Sequence, residues 1–198
     1  MKKSKSSSWD FYLDKVYSYA FYEKAFTKEE CEAIIKIAKN KGLYDSLIRK
    51  DKKDIKSEIR DSKICWLYPG DNMEGVFLRI TDITLNINKK FFNFDLSGIN
   101  EGLQFTNYKS PSGKYNKHVD RGLDLPIRKL SISIQLTDHN KYEGGELYID
   151  NGVEGHIMMN KEQGTLIVFP SYTLHEVMPV TKGERNSLVT WVTGKQFK

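Results

Sequence analysis

The chain has 198 residues, enough for one domain with a well-filled core, and its 39% hydrophobic and 12% aromatic content excludes a disordered chain. Thirty-one basic against 26 acidic residues leave a net charge of +5, which permits an anionic partner without requiring one; a solvated Lys-rich surface is the plainer reading. No stretch approaches the ~18 apolar residues of a membrane-spanning helix, and residues 1–8 are Lys/Ser-rich without the apolar run of a signal peptide. Cys31 and Cys65 stand in apolar patterns with no Cys-x-x-Cys. Two free, buried thiols in a reducing compartment are therefore expected, and a cytoplasmic protein with them.

Residues 1–8 read as a disordered tail and 11–26 as an aromatic-rich strand followed by a turn. Thr27-Lys28-Glu29-Glu30 is a capping box with Thr27 as N-cap, so a helix starts there. Cys31, Ile34, Ile35 and Ala38 share one face of it, and Gly42 is a plausible stop. Residues 48–63 carry seven basic and four acidic side chains, which suits a solvated loop or, more sharply, a flexible lid beside a groove. Ile64-Cys65-Trp66-Leu67 reads as a buried strand closed by Tyr68-Pro69-Gly70. Val76, Phe77, Ile80, Ile83 and Ile87 fall at helical spacing, which predicts a second helix over 72–90, ended by the aromatic corner 91–94.

From residue 101 the texture becomes short strands and turns. Leu103 and Phe105 alternate with Gln104, Thr106 and Tyr108, and Leu130, Ile132, Ile134 and Leu136 alternate with Ser131, Ser133, Gln135 and Thr137. Further strands are expected at 146–149, 165–169, 172–178 and 185–193, with Gly144-Gly145 and 161–164 as turns. Around eight such strands predict a mainly β, α+β fold: a sandwich or jelly roll braced by two N-terminal helices. No linker or repeat divides the chain. One domain over 1–198 is expected, with 9–99 as support and 100–194 as core.

The chemistry gathers at Tyr115-Asn116-Lys117-His118-Val119-Asp120. Alternation along a strand points His118 and Asp120 the same way, with Val119 on the other face. His175, on another strand-like segment, would complete a two-His-one-carboxylate triad, the usual cradle for non-haem Fe(II). Arg185 and Ser187 share a face of the last strand with Val189 and Trp191, and an Arg beside a hydroxyl suits a bidentate carboxylate clamp. Each alone has a bland alternative: a chance His-x-Asp turn, a hydrogen-bonded core histidine, a surface pair of Arg185 with Glu184 or Glu176. The four together outweigh those readings. His139, in an Asp-His-Asn turn, and His156 receive no role. Trp66 reads as a core aromatic; Trp191 is either that or a pocket wall.

Three blocks resemble the Fe(II)/2-oxoglutarate dioxygenases of the prolyl 4-hydroxylase type. They are Leu103-Gln104, Tyr108 and Gly113-x-Tyr115-x-x-His118-x-Asp120; Arg128-Lys129-Leu130-Ser131 running to Tyr142-x-Gly144-Gly145-Glu146-Leu147; and 164–171 followed by Leu174-His175-x-Val177-x-Pro179-Val180-Thr181-x-Gly183-x-Arg185. The last two resemble in particular the bacterial PKHD-type hydroxylases. The resemblance implies a double-stranded β-helix of cupin-like form. It implies Fe(II) on His118, Asp120 and His175, and 2-oxoglutarate on Arg185, with Tyr108 and Ser187 assisting. O2 is the second co-substrate, and ascorbate a further candidate. The implied activity is hydroxylation of a substrate C–H bond with release of succinate and CO2, on a peptide or protein substrate. Because Asp120 is present, hydroxylation is preferred over halogenation. Alternatives are an oxygenase of a free amino acid or other small molecule, a nucleic-acid demethylase, and a non-catalytic cupin-like binding module. Demethylating relatives carry a second Arg where Trp191 stands, which argues against nucleic acid. No membrane partner is expected, and the state is monomer or homodimer.

Overall fold

The computed structural model describes residues 17–50, 53–55, 58–121, 127–152 and 155–195, so the expected N-terminal tail lies outside it. In chain order the strands and helices are β1 (Ala20–Tyr22), α1 (Lys28–Lys41), β2 (Tyr44–Asp45), β3 (Ile48–Lys50), β4 (Lys53–Ile55), β5 (Arg60–Asp61), β6 (Lys63–Leu67), α2 (Glu74–Ile87), β7 (Leu96–Gly98), β8 (Leu103–Lys109), β9 (Lys114–His118), β10 (Arg128–Gln135), β11 (Tyr142–Gly144), β12 (Leu147–Asp150), β13 (His156–Met158), β14 (Leu166–Pro170), β15 (His175–Val177) and β16 (Val180–Gly194). Neither helix is long and apolar enough to cross a membrane.

Helix α1 begins where its capping box dictates. Thr27 Oγ1 accepts from the Glu30 amide at 3.2 Å, and Glu30 Oε2 accepts from the Thr27 amide at 2.8 Å, so two otherwise orphaned donors are satisfied. Cys31, Ile34 and Ala38 are buried on one face, and Gly42 ends the helix at φ +99°. Helix α2 buries Ile80, Thr84 and Ile87 and then loosens into a π turn over 88–92. The Asn88 side chain fixes that turn by bonding both the amide and the carbonyl of Phe94 at 2.9 Å.

Nine strands form the larger sheet. Its path is β1-β14-β10-β16-β8-β6-β2, with β11 and β7 also pairing with β16. The smaller sheet is β13-β12-β15-β9-β5. Apolar side chains divide between two cores. Leu103 and Phe105 of β8, Leu130, Ile132 and Ile134 of β10 and Leu188 of β16 pack with α1 and α2 residues on one face of the larger sheet. Tyr108, Ile167, Phe169 and Val180 of the larger sheet meet Leu147, Ile149 and Val177 of the smaller one. The sheets thus face each other as a jelly-roll sandwich, and each buried Leu or Ile contributes about 1.5–3 kcal/mol.

This layering explains a difference from simple amphipathic alternation. The polar residues of β8 and β10 (Gln104, Thr106, Ser131, Ser133, Gln135) are as buried as their apolar neighbours. They face the space between the sheets, because helices occupy the other side. Among the described residues, nine strands from residue 101 stand against the eight or so expected; the second difference lies before residue 101, where seven strands, β1–β7, stand against the two expected at 11–26 and 64–67. The extra ones are two- and three-residue edge pieces with too few positions to show a period. Two of them, β3 and β4, form a hairpin in the charged segment read as a loop; the side chains of 48–57 lie outside the described residues.

Candidate metal centre and anion pocket

Antiparallel pairing of β9 with β15 sets His118 directly opposite His175. Fifty-seven residues of chain separate them, yet their rings stand 4.2 Å apart, centroid to centroid. Each Nδ1 faces a backbone carbonyl, that of Asn116 at 2.7 Å and that of Thr173 at 2.9 Å. A carbonyl only accepts, so each Nδ1 carries the proton and each Nε2 keeps a free lone pair. Both Nε2 atoms point toward Asp120, with Oδ1 3.7 Å from His118 and Oδ2 3.5 Å from His175.

Asp120 arrives by a different route from the one alternation suggests. Strand β9 stops at His118, so Asp120 is not part of it. The Asp120 and Arg121 amides both donate to the Ser171 carbonyl, at 3.0 and 3.1 Å. That pins the turn onto the β14–β15 connection. The carboxylate still faces the histidines, while Val119 points out and is 44% exposed. One ligand atom from each of His118, Asp120 and His175 lies within 4.8 Å of the other two.

Burial, with His175 nearby, pushes the His118 imidazole down to about 4, so it is neutral at neutral pH. Burial alone would raise the Asp120 carboxyl. His175, His118 and hydrogen bonding, including the Ser131 hydroxyl at 2.7 Å, outweigh it and hold the group below the usual carboxylate range. Ser131 Oγ in turn lies 3.0 Å from Ser171 Oγ. Two imidazoles whose Nε2 atoms converge on an ionised carboxylate are a donor set suited to Fe(II) or a similar divalent ion.

Arg128 holds the other side of the Asp120 turn. Its Nη1 donates to the Asp120 carbonyl at 3.2 Å, its Nε and Nη2 grip the Glu101 carboxylate at 2.7 and 2.5 Å, and its guanidinium lies 3.7 Å over the Trp191 ring. Trp191 is thereby a packed wall, 6.2 Å from Trp66.

The second feature is Arg185. It is 1% exposed, it sits beside Tyr108 in the β8–β16 register, and its guanidinium is 5.4 Å from that ring. Among the described residues none of its three guanidinium nitrogens has a hydrogen-bond partner, and none forms an ion pair with it. The surface-pair reading with Glu184 or Glu176 is therefore corrected: Glu184 pairs with Lys39 at 2.5 Å, and Glu176 lies 3.3 Å from His156. A buried, unpaired charge is costly, so this planar fork suits a carboxylate brought in from outside. Gly145 makes room for it. At φ +63°, a Cβ there would stand 3.0 Å from Arg185 Cδ and 2.9 Å from Val180 Cγ2. Ser187 shares the inner face with Arg185, in one row with Thr106 and Gln135. Thr106 Oγ1 and Gln135 Oε1 in that row are buried and likewise unpartnered in the protein.

Residues 103–193 match the 2OG-Fe(II) oxygenase superfamily. Over this stretch, a little under half of its length, the chain is similar to that superfamily. A PKHD-type hydroxylase of Alteromonas mediterranea is 39% identical over 93 residues, 43% of this chain and 41% of that one. A PKHD-type hydroxylase of Aliarcobacter butzleri is 32% identical over 133 residues, 64% of this chain and 58% of its own. The chain thus spans about two-fifths to three-fifths of the length of these curated relatives. Two solved structures share the fold of this chain. A prolyl-4-hydroxylase of Pseudomonas putida has a TM-score of 0.72 at 21% identity, covering 90% of this chain and 94% of that one. A prolyl hydroxylase of Trichoplax adhaerens, solved in complex with a hypoxia inducible factor peptide fragment, has a TM-score of 0.73 at 16% identity, covering 89% and 84%.

All six residues singled out from the sequence (Tyr108, His118, Asp120, His175, Arg185, Ser187) face the space between the sheets or its rim. The supporting roles of Ser131, Ser171 and Arg128 escape sequence reading. The one signal is polar residues inside an apolar run, which does not name a partner 11, 40 or 27 residues away.

Proposed function

We propose that this chain is an Fe(II)- and 2-oxoglutarate-dependent dioxygenase that hydroxylates a C–H bond of a peptide, as a prolyl 4-hydroxylase-type enzyme does, with release of succinate and CO2. One observation carries the reading: a fully buried Arg185 guanidinium with no partner among the described residues, in a chain that also converges His118, Asp120 and His175 on one point. A metal-binding module would need only the second. On this reading the three ligands hold Fe(II), which supplies the activation of O2 that no side chain here offers. His118 and His175 present Nε2, fixed by their carbonyl-bound Nδ1–H groups. Asp120 stays ionised and oriented by Ser131. Arg185 takes the distal carboxylate of 2-oxoglutarate, with Tyr108 and Ser187 beside it. The names of the curated relatives support hydroxylation. Residues 100–194 are then the catalytic core and 9–99 its support.

Anaerobic calorimetry tests this. Protein loaded with Fe(II) should bind 2-oxoglutarate, Arg185→Ala should lose that binding while keeping iron, and aerobic incubation of the parent should form succinate. Iron binding without any effect of Arg185 on 2-oxoglutarate would leave only a metal-binding module.

A further inference from the structure

Arg60 is a second cation without a counter-ion among the described residues, and it stands one ring away from the candidate metal centre. It pairs with Tyr115 in the β5–β9 register, and its guanidinium lies 4.7 Å over the Tyr115 ring. Tyr115 in turn stacks on His118, with centroids 3.4 Å apart and planes 17° from parallel. Arg60 is therefore one aromatic ring away from a metal ligand. Two neutral acceptors fix its direction: Nε donates to Ser62 Oγ at 3.0 Å, and Nη2 donates to Gln104 Oε1 at 2.8 Å. Gln104 belongs to the inner face of β8, the face of Tyr108.

None of these contacts neutralises it. Asp61, next in the chain, accepts from Ser112 instead, at 2.5 Å, and no carboxylate among the described residues pairs with Arg60. A half-buried cation oriented by neutral groups and left with free N–H bonds is built to receive an anion. Among the described residues Arg60 bonds Ser62 and Gln104 and lies over Tyr115, and a single planar guanidinium suits a carboxylate better than a phosphate. Arg185 lies fully buried and serves the co-substrate. Arg60, half-buried over Tyr115, keeps solvent access beside the candidate metal centre.

We infer that Arg60 is a substrate-binding residue, and that the molecule hydroxylated here carries a carboxylate that Arg60 grips while its reacting C–H bond lies at the metal. This rests on the oxygenase reading above and adds the charge of its substrate. The carboxylate belongs either to an Asp or Glu side chain of a peptide or to the α-carboxylate of a free amino acid; the chemistry at Arg60 is the same.

The experiment has two arms. Protein with Fe(II) and 2-oxoglutarate is incubated with a capped library, Ac-Xaa-Xaa-Pro-Xaa-Xaa-NH2, or with free amino acids and their amides. Products 16 Da heavier are read by mass spectrometry, and succinate is measured throughout. Carboxylate-bearing members should be favoured about tenfold over matched amides, the worth of one charge-assisted contact. The arm that responds identifies the source of the carboxylate. Arg60→Gln should erase that preference. Arg60→Glu should turn it toward Lys-bearing members, an inversion that lost packing on Tyr115 does not produce. A product set blind to charge, an unchanged preference in Arg60→Glu, or succinate without product in both arms overturns the inference. Absence of succinate from every reaction defeats the oxygenase reading itself, and this inference with it.

Discussion

Arg128 and Arg185 rise from neighbouring strands of one sheet, and both are buried, yet their surroundings are opposite. Arg128 is saturated: a bidentate carboxylate, a backbone carbonyl and an aromatic face surround it. Arg185 has an aromatic neighbour and no hydrogen bond at all. Desolvating a guanidinium costs several kcal/mol, and only Arg128 recovers that within the chain. The first is a structural rivet. The second is a cost carried by the fold until an anion arrives. The difference separates residues that make the structure from residues that use it.

The largest way to break the contrast is to remove the centre that Arg185 serves. Asp120→Ala or His175→Ala should abolish iron retention and lower succinate formation about a thousandfold, roughly 4 kcal/mol. Iron content and succinate assays check it. Next, Arg185→Ala should raise the 2-oxoglutarate concentration for half-saturation about 200-fold, roughly 3 kcal/mol, while melting of the ligand-free protein stays level or rises. Arg128→Ala should behave in the reverse manner. It strands Glu101, whose side chain is 19% exposed, and should cost about 2–3 kcal/mol in denaturant unfolding.

Smaller effects sharpen the same line. Folding lowers the His118 value from 6.5 to about 4, so between those limits the unfolded chain binds more protons than the folded one. Stability is then full above pH 6.5 and is lost as pH falls toward 4. Metal-free protein should lose about 2 kcal/mol over that range, a figure reduced for partial solvent access and read from melting against pH. The smallest effect is that of Gly145→Ala. A methyl group at φ +63°, 3.0 Å from Arg185 Cδ, should cost about 1 kcal/mol and weaken 2-oxoglutarate binding with it.

Much of this was legible before any coordinates. The capping box at Thr27, the stripe of α2 and the alternation of β10 each record a local rule, and the structure follows them. His118, Asp120, His175 and Arg185 were legible as a set because each has a distinctive donor chemistry. What stayed hidden depends on distance through the chain. The end of β9 at His118 is set by the Ser171 carbonyl, which takes the amide of Asp120 from 51 positions further along the chain. Alternation therefore gave the right orientation of Asp120 for the wrong reason. The burial of Ser131, Gln135 and Thr106 depends on a second sheet covering them, and a strand's own period cannot report that. The β3–β4 hairpin and the two-residue edges are too short to carry a period.

Strand β16 is fifteen residues long and pairs with β7, β8, β10 and β11. Arg185 stands near its start and Trp191, under the Arg128 rivet, toward its end. A single deletion between these two would swing every later side chain to the opposite face, exchanging Trp191 for an outward neighbour. Length changes are thus tolerable in the turns of this protein but forbidden along this one rod, whose spacing is the ruler that keeps the anion grip and the metal cradle in phase.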